Sequence, residues 1–286
     1  IVSYAARPGM DFAYSEGVEV TGNGYIGAVA GTVDCYTRWD AHTEAWYNAL
    51  QPASGEKIYL LSSKNCKVEG GRYVAGVVSS ASYVKYVNSE NNTIHATRIG
   101  AGGLFGSGGG NYFTATGCDI ISDGDYAGGI SANADNYSYT YSCVTGCNIR
   151  AKSYAGGLIG RSGVNVRNYA VIRDTAIYAD QYDGGMFGQF DTSNYAPSIY
   201  NSVVTNCKIG SSASKYPKAS KDENGGYKVD WIDKSGSGTK MVGGICGEAY
   251  GVNMYNNLVD DSVEILANEY AGGVIGIGGG GKSYHL

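Results

Sequence analysis

The stretch YAGGLIG, from Tyr154 to Gly160, decides the fold, because close variants of it recur along nearly the whole chain. Successive glycine pairs lie 26 to 29 residues apart wherever no insertion intervenes. The other copies are Tyr25 to Gly31 (YIGAVAG), Tyr73 to Ser79 (YVAGVVS), Gly100 to Gly106 (GAGGLFG), Tyr126 to Ala132 (YAGGISA), Tyr182 to Gly188 (YDGGMFG), Met241 to Gly247 (MVGGICG) and Tyr270 to Gly276 (YAGGVIG). This regular spacing predicts one structural unit repeated about eight times.

A second short pattern precedes each copy and ends in an aliphatic residue. In Cys118-Asp119-Ile120 and Cys147-Asn148-Ile149 a variable residue separates two small or apolar ones, which indicates a strand with one buried face. Composition agrees, because the 286 residues include 45 Gly and 26 Tyr but only 4 Pro. We therefore predict an all-β fold. It is a single parallel β-solenoid (β-helix) over residues 1–286, with about eight coils of 26–29 residues.

Stacked coils place equivalent side chains in ladders, and two aliphatic ladders are expected to form the core. The first is Val20, Val68, Ile94, Ile120, Ile149, Ile177, Ile209 and Ile265. The second is Val29, Val77, Leu104, Ile130, Leu158, Met186, Ile245 and Val274. A tyrosine ladder is expected before the glycine pairs, made of Tyr25, Tyr73, Tyr126, Tyr154, Tyr182 and Tyr270. The glycine pairs permit either a positive φ or a close approach of neighbouring backbones.

Four of the seven cysteines share one ladder position, so we expect buried free thiols there. They are Cys66, Cys118, Cys147 and Cys207. A Cys118–Cys147 disulfide is conceivable between neighbouring coils, but the parallel direction of the side chains disfavours it. A zinc site is not expected, since Cys143 and Cys147 have no second pair at the usual spacing.

Two insertions interrupt the repeats. Residues 36–57 are predicted to contain a short helix from Asp40 to Leu50, and they hold Trp39 and Trp46. These rings are candidates for stacking on a sugar, although covering the side of the solenoid is the simpler explanation. Residues 211–240 are rich in Lys, Ser and Gly and are predicted to form a solvated loop, with binding of a polyanion as the alternative.

Several partners and cofactors are not expected. The net charge is −5 and no stretch combines Lys and Arg with stacking aromatics, so nucleic acid is an improbable partner. No run of about 18 apolar residues indicates a membrane span. Gly276 to Ser283 matches a phosphate-binding loop, but the three residues after it do not provide the helix that such a loop needs. We expect no cofactor and no metal.

The glycine element and its upstream Cys-x-Ile resemble the GLUG repeat of bacterial cell-surface and secreted proteins. The best matches are Gly156 to Gly160 and Gly272 to Gly276, while Val77 to Ser79 and Ile130 to Ala132 depart by lacking the last glycine. The resemblance covers nearly the whole chain. It implies an extracellular solenoid, secreted or attached to a cell surface, with adhesive or spacer duties and no implied chemistry.

The stretches between the two patterns differ most from coil to coil and are rich in Tyr, Asn, Ser and Gly. Such residues suit recognition, because Tyr gives contact area and the small polar residues give hydrogen bonds. We therefore predict a non-catalytic, adhesin-type surface for a glycan or a protein, although turns and a second stacked ladder would explain the same tyrosines. The predicted binding residues are Tyr86, Tyr112, Tyr139, Tyr169, Tyr195 and Tyr255, with Trp39 and Trp46.

Two other functions stay open. One is a purely structural stalk or fibre-forming solenoid. The other is a polysaccharide-degrading enzyme, which needs carboxylates close together on one face. Its case is weak, because the variable column Glu19, Lys67, Thr93, Asp119, Asn148, Ala176, Lys208, Glu264 has no two neighbouring acids. Since the sequence stops 13 residues after Gly273, we also expect end-to-end association or a longer natural chain.

Overall fold

The structure, a computed structural model, describes residues 2–6, 13–36, 61–134, 139–162, 169–191 and 198–279. Over these ranges the chain is all-β, without a helix, and its parallel sheets form a β-solenoid of about seven turns. The predicted fold class is confirmed. Apart from Tyr36, which ends a strand, the insertion 36–57 with its predicted helix lies outside the described residues, and so do residues 280–286. The expectations about this helix and about the last coil therefore stay predictions.

Three sheets run along the solenoid, and each coil gives one strand to each of the first two. Sheet 1 has eight strands, which number the coils from one to eight. They are β3 (Glu19–Gly22), β7 (Lys67–Gly70), β10 (Thr93–Ala96), β13 (Asp119–Ser122), β17 (Asn148–Arg150), β21 (Ala176–Tyr178), β26 (Lys208–Gly210) and β33 (Glu264–Leu266). Sheet 2 consists of β4 (Ile26–Gly27), β8 (Tyr73–Ala75), β11 (Gly100–Gly102), β14 (Tyr126–Gly128), β18 (Tyr154–Gly156), β22 (Tyr182–Gly184), β29 (Met241–Gly243) and β34 (Tyr270–Gly272).

Sheet 3 is the broad side, with 15 strands, because each coil crosses it in one long strand or two shorter ones. Its members are β1 (Val2–Ala6), β2 (Ala13–Glu16), β5 (Ala30–Tyr36), β6 (Leu61–Lys64), β9 (Val78–Glu90), β12 (Phe105–Thr116), β15 (Ser131–Ala134), β16 (Tyr139–Thr145), β19 (Ile159–Ser162), β20 (Ala170–Arg173), β23 (Phe187–Asp191), β25 (Val203–Thr205), β30 (Cys246–Tyr250), β32 (Leu258–Val259) and β35 (Ile275–Gly279). Beside it β24 (Ser198–Tyr200) pairs with β31 (Asn253–Tyr255).

The predicted ladders are confirmed by the register. Successive members of the first aliphatic ladder are directly paired, as Ile120 is with Ile149, and successive members of the second are joined by backbone hydrogen bonds, as Leu158 is to Met186. The rings of the tyrosine ladder stack in two groups, Tyr25 with Tyr73 and Tyr126 with Tyr154 and Tyr182, and the last two centroids are 4.9 Å apart. Gly100 and Met241 interrupt the ladder. The apolar ladders therefore carry the hydrophobic core along the axis.

The paired glycines serve close backbone approach, and none of the pairs has a positive φ. A Cβ on Gly157 would lie 2.0 Å from the carbonyl oxygen of Gly185 in the next coil, and one on Gly129 would lie 2.1 Å from that of Gly157. Gly156 instead faces its own turn, 2.0 Å from the carbonyl oxygen of Ile159. Of the two predicted roles of the pair, the structure shows the second.

Positive φ values occur at a different corner, just before the cysteine ladder, and they were not predicted. Each of coils one to seven places one residue there in the left-handed region, which Gly, Asn and Asp tolerate best. The column is Gly17, Asn65, Asn91, Gly117, Gly146, Asp174 and Asn206, with φ between 46° and 64°.

The ladder cysteines are buried, and the free thiols are those of Cys66, Cys118, Cys143, Cys147, Cys207 and Cys246. Burial raises the pKa of the Cys207 thiol to about 12, so it stays protonated and unreactive near neutral pH. Cys143 is half-exposed whereas Cys147 is fully buried, so the two do not form half of a metal site.

The second insertion is a docked hairpin, and the prediction of a solvated loop for 211–240 was wrong. Strands β27 (Lys215–Lys221) and β28 (Tyr227–Asp233) pair antiparallel and lie back over sheet 1. Asn148 in coil five accepts from the amide of Ala219 at 2.7 Å and donates to its carbonyl oxygen at 3.1 Å. The hairpin is held because an alternating pattern of apolar residues, hidden among the lysines, faces the solenoid.

The hairpin joins the coils through a buried polar network. Asp183 takes a ladder position that Ala127 and Ala155 fill in earlier coils. Its Oδ2 lies 2.8 Å from the hydroxyl of Thr239, and burial raises the pKa of Asp183 well above its usual range. The buried Ser211 accepts a hydrogen bond from Lys234 at 3.1 Å, which fixes the base of the hairpin.

Candidate functional site

Four tyrosines stack on the outer side of sheet 3, one from each of four successive coils. The ring centroids of Tyr86, Tyr112, Tyr141 and Tyr169 are separated by 4.6, 5.0 and 5.1 Å in that order. The ring planes are within 7° of parallel. We call these residues the groove tyrosines.

Three of the groove tyrosines were predicted from the sequence, namely Tyr86, Tyr112 and Tyr169. The ring between Tyr112 and Tyr169 belongs to Tyr141 and not to the predicted Tyr139. Tyr139 lies two residues before Tyr141 in strand β16 and pairs with Gly110. Tyr255 belongs to a separate stacked pair with Tyr200, with centroids 4.8 Å apart. The remaining predicted residues, Tyr195, Trp39 and Trp46, lie outside the described residues.

A constant distance to the cysteine ladder would have identified the missed residue. Tyr112 lies six residues before Cys118, and Tyr141 lies six residues before Cys147. The prediction counted forward from the glycine pair, across a segment whose length changes from coil to coil. The segment after the column has a fixed length because it runs directly into the next sheet.

The groove tyrosines all have left-handed backbones, with φ of 56°, 64°, 56° and 65° along the column. The same column continues with Asn201 at 48° and Asn256 at 51°. Asn adopts this conformation readily, whereas a residue such as Tyr is disfavoured there, at a cost of about 1–3 kcal/mol. Strain of this kind concentrates at functional sites, which makes the aromatic part of the column a candidate for one.

Exposure changes along the stack. Tyr86 is 6% exposed, whereas Tyr141 and Tyr169 are 48% and 46% exposed. Each inner ring has both faces covered by its neighbours, so the accessible part of Tyr141 is the ring edge with its hydroxyl group. From Tyr112 to Tyr169 the column therefore presents a row of phenol edges at the spacing of the coils.

A surface groove of about 320 Å³ runs beside this row. Tyr112, Tyr141 and Tyr169 form one wall, and the residues two positions later in each strand form the other. The second wall consists of Thr114, Cys143 and Val171, paired in register. Phe113 and Ser142, between the walls, form the floor.

The groove is uncharged, and its column pattern continues beyond Tyr169. None of the eight residues that line it is Asp, Glu, His, Lys or Arg. In the next two coils Asn201 and Asn256 continue the tyrosine column, and Asn256 donates to Asn201 at 2.7 Å. Val203 and Leu258 continue the opposite column, with Leu258 52% exposed. The outer side of sheet 3 therefore changes from aromatic to amide along one wall while the other becomes more apolar.

A polar row at the other end of sheet 3 is a second cluster that the sequence did not predict. Glu248 is only 7% exposed and accepts hydrogen bonds from Gln189 at 2.7 Å and from the hydroxyl of Tyr250 at 2.9 Å. Burial, and then the Glu248 carboxylate, raise the pKa of Tyr154 to about 12. Because two donors satisfy this carboxylate, we assign it a structural role.

Within the ranges that the structure describes, no three His, Cys, Asp or Glu side chains are grouped to hold a metal ion. Gly276 to Gly279, where the phosphate-loop match begins, belong to strand β35. None of the described residues forms a helix long and apolar enough to cross a membrane.

Comparisons with protein-family models, with curated proteins and with solved structures found no match for this chain. The resemblance to GLUG repeats rests on the sequence motifs and stays a prediction.

Proposed function

We propose that this chain is a non-catalytic binding module that holds an extended partner, a glycan or a protein, in the groove beside Tyr112, Tyr141 and Tyr169. The observation that carries the proposal is the left-handed, half-exposed tyrosine column. If this position served only to form a stable corner, Asn would be sufficient, as it is at Asn201 and Asn256. Tyrosine at the same place adds contact area at a cost in backbone strain, which favours recognition.

Binding is favoured over catalysis by the chemistry of the groove. Glycoside hydrolysis requires a pair of carboxyl groups across the scissile bond, and the lining residues include none. The groove offers hydroxyl groups, apolar side chains and a rigid floor, which suit binding.

An extracellular location, secreted or at a cell surface, follows from the resemblance to GLUG repeats. The buried cysteine ladder is compatible with it. Thiols that are inaccessible and protonated, like that of Cys207, resist oxidation in such surroundings.

A structural stalk is the second candidate, and ring stacking itself favours it. Stacked aromatic pairs contribute about 0.5–1.5 kcal/mol each beyond their buried area, so the column also stiffens the solenoid. The two functions require different features of these tyrosines. A stalk requires only that the rings stack, whereas a binding module requires that their edges be accessible to a partner.

The test is the double variant Tyr141→Asn, Tyr169→Asn. Asn keeps the left-handed backbone, as its presence at Asn201 shows, and removes both exposed rings. We expect loss of attachment to glycans and proteins on a binding screen, with the β-sheet circular dichroism spectrum unchanged.

The matched control is Tyr25→Asn, which removes a 43% exposed ring from the tyrosine ladder, away from the groove. This control should attach as the parent chain does. Equal attachment by the double variant and the parent would contradict the proposal and support the stalk.

A further inference from the structure

We infer that the partner in the groove is a linear, uncharged glycan that lies along the solenoid axis with one sugar ring per coil. The inference rests on the proposed function and names its ligand.

The spacing of the hydroxyl row selects among extended ligands. Along the groove, the ring centroids of Tyr112, Tyr141 and Tyr169 repeat every 5.0 to 5.1 Å. An extended polypeptide advances about 3.3 Å per residue and a polyproline helix about 3.1 Å, so neither keeps step with the row. A pyranose ring is about as long as one interstrand spacing, and a chain of such rings stays in register from coil to coil. Of these three extended chains, only the glycan brings the same chemical group to each tyrosine.

The two walls match the two sides of a sugar. Pyranose hydroxyl groups project from the ring edge, where the phenol groups of Tyr141 and Tyr169 accept and donate hydrogen bonds. The C–H surface of the ring is apolar and suits the wall that contains Cys143 and Val171. Because the aromatic faces cover one another, this site recognises sugar through ring edges and not by face stacking.

The absence of charge from the groove lining decides the class of sugar. A sulfated glycan or a uronic acid would lose hydration on entering and find none of the eight lining residues charged. Neutral hexose or N-acetylhexosamine chains lose less hydration free energy on entering the groove, so they are the expected ligands.

The first experiment measures binding of neutral linear oligosaccharides, from dimer to hexamer, by titration calorimetry with the full chain. Affinity should rise about tenfold or less with each added ring, because each ring adds roughly one net hydrogen bond and apolar contact, and then level off. Sulfated oligosaccharides of equal length should bind at least tenfold more weakly. Affinity independent of length, or tighter binding of the sulfated series, would overturn the inference.

The second experiment uses Tyr141→Phe with Tyr169→Phe, which keeps the stack and removes only the two hydroxyl groups. A loss of about tenfold in glycan affinity is expected, since a hydrogen bond contributes about 0.5–1.5 kcal/mol. Tyr25→Phe, in the tyrosine ladder, should have no effect.

The outcomes separate the inference from the proposed function. If the Phe variant binds glycan like the parent while the Asn variant does not, the groove binds the glycan but the tyrosine hydroxyl groups do not recognise it. This result would overturn the inference and leave the proposed function standing. If the screen finds peptides that need the same rings, the module stands and the glycan is wrong. A second copy of this solenoid has the same spacing. A dimer in sedimentation that the Phe variant dissociates would therefore also overturn the inference.

Discussion

Two glycines with the same place in the repeat experience very different surroundings. Gly157 lies against the backbone of the next coil, whereas a Cβ on Gly273 would have no atom within 4 Å. The motif is identical around both, YAGGLIG and YAGGVIG, so local sequence does not separate them. What differs is the neighbouring coil.

Gly157→Ala should therefore destabilise the fold by about 3 kcal/mol, because its methyl group must push coils five and six apart. Gly273→Ala should change the free energy of unfolding by less than about 0.5 kcal/mol. Urea denaturation of both variants checks this. Equal effects at the two positions would show that the glycines serve backbone conformation and not packing.

We expect Asp183 to make stability depend on pH. Its folded pKa is raised by burial above the usual value, so it binds a proton in the folded state that the unfolded chain releases. The associated stability is present in acid and is lost as pH rises from about 4 toward the folded pKa. The hydroxyl of Thr239 donates to this carboxyl group, which lowers the pKa, but the opposing effect of burial is larger.

Asp183→Asn keeps an acceptor for the Thr239 hydroxyl and removes the titration. The stability of the variant relative to the parent should increase with pH above about 4, by up to about 1.4 kcal/mol per pH unit until the folded pKa is reached. Chemical denaturation at a series of pH values measures it, with the exposed Asp180→Asn as control. A difference that does not vary with pH would rule out a buried neutral Asp183.

At the scale of elements, the hairpin explains why two corners carry glycine. In the left-handed column Asn65, Asn91 and Asn206 are the usual type, but coils four and five have Gly117 and Gly146. A Cβ on Gly146 would lie 2.2 Å from the ring of Tyr227, and one on Gly117 would lie 2.4 Å from its hydroxyl oxygen. These glycines make room for the hairpin.

Gly146→Asn should loosen the hairpin although Asn accepts the backbone conformation. We expect a loss of about 1–2 kcal/mol and faster amide hydrogen exchange over residues 215–233. Gly17→Asn, in the same column with no atom within 4 Å, should leave both unchanged. Unchanged exchange in the Gly146 variant would mean that Tyr227 does not hold the hairpin.

The sequence predicted what repeats and missed what occurs once. The ladders follow from alternation within a strand and a period along the chain, and both are visible in the letters. The hairpin was missed because Lys215 and its neighbouring lysines obscure the apolar residues between them, and the surface that it contacts is made by coils far away in sequence. Tyr141 was missed because the preceding segment varies in length. Its positive φ was not predictable either, because Tyr rarely adopts this backbone conformation.

At the scale of the whole molecule, the chain combines a ladder core with one outer side that varies. Sheet 3 carries the groove tyrosines, the apolar wall and the buried Glu248 cluster, whereas the hairpin covers part of sheet 1. The repeats thus fix the spacing of the groove, and the exchange of residues within one column, from Tyr169 to Asn201, changes the chemical groups on this outer side without changing the fold.

The hairpin also changes how the array comes apart. A solenoid in which coils touch only their neighbours behaves as a one-dimensional chain, whose ends fray one unit at a time. Here Trp231 donates to Glu264 in coil eight at 2.6 Å while Tyr227 lies over Gly117 at the start of coil four. One element therefore ties five coils into a single cooperative block, and partial unfolding inside it must release the hairpin as well. We therefore expect coils one to three to unfold separately from this block, although one hydrophobic core runs through both parts.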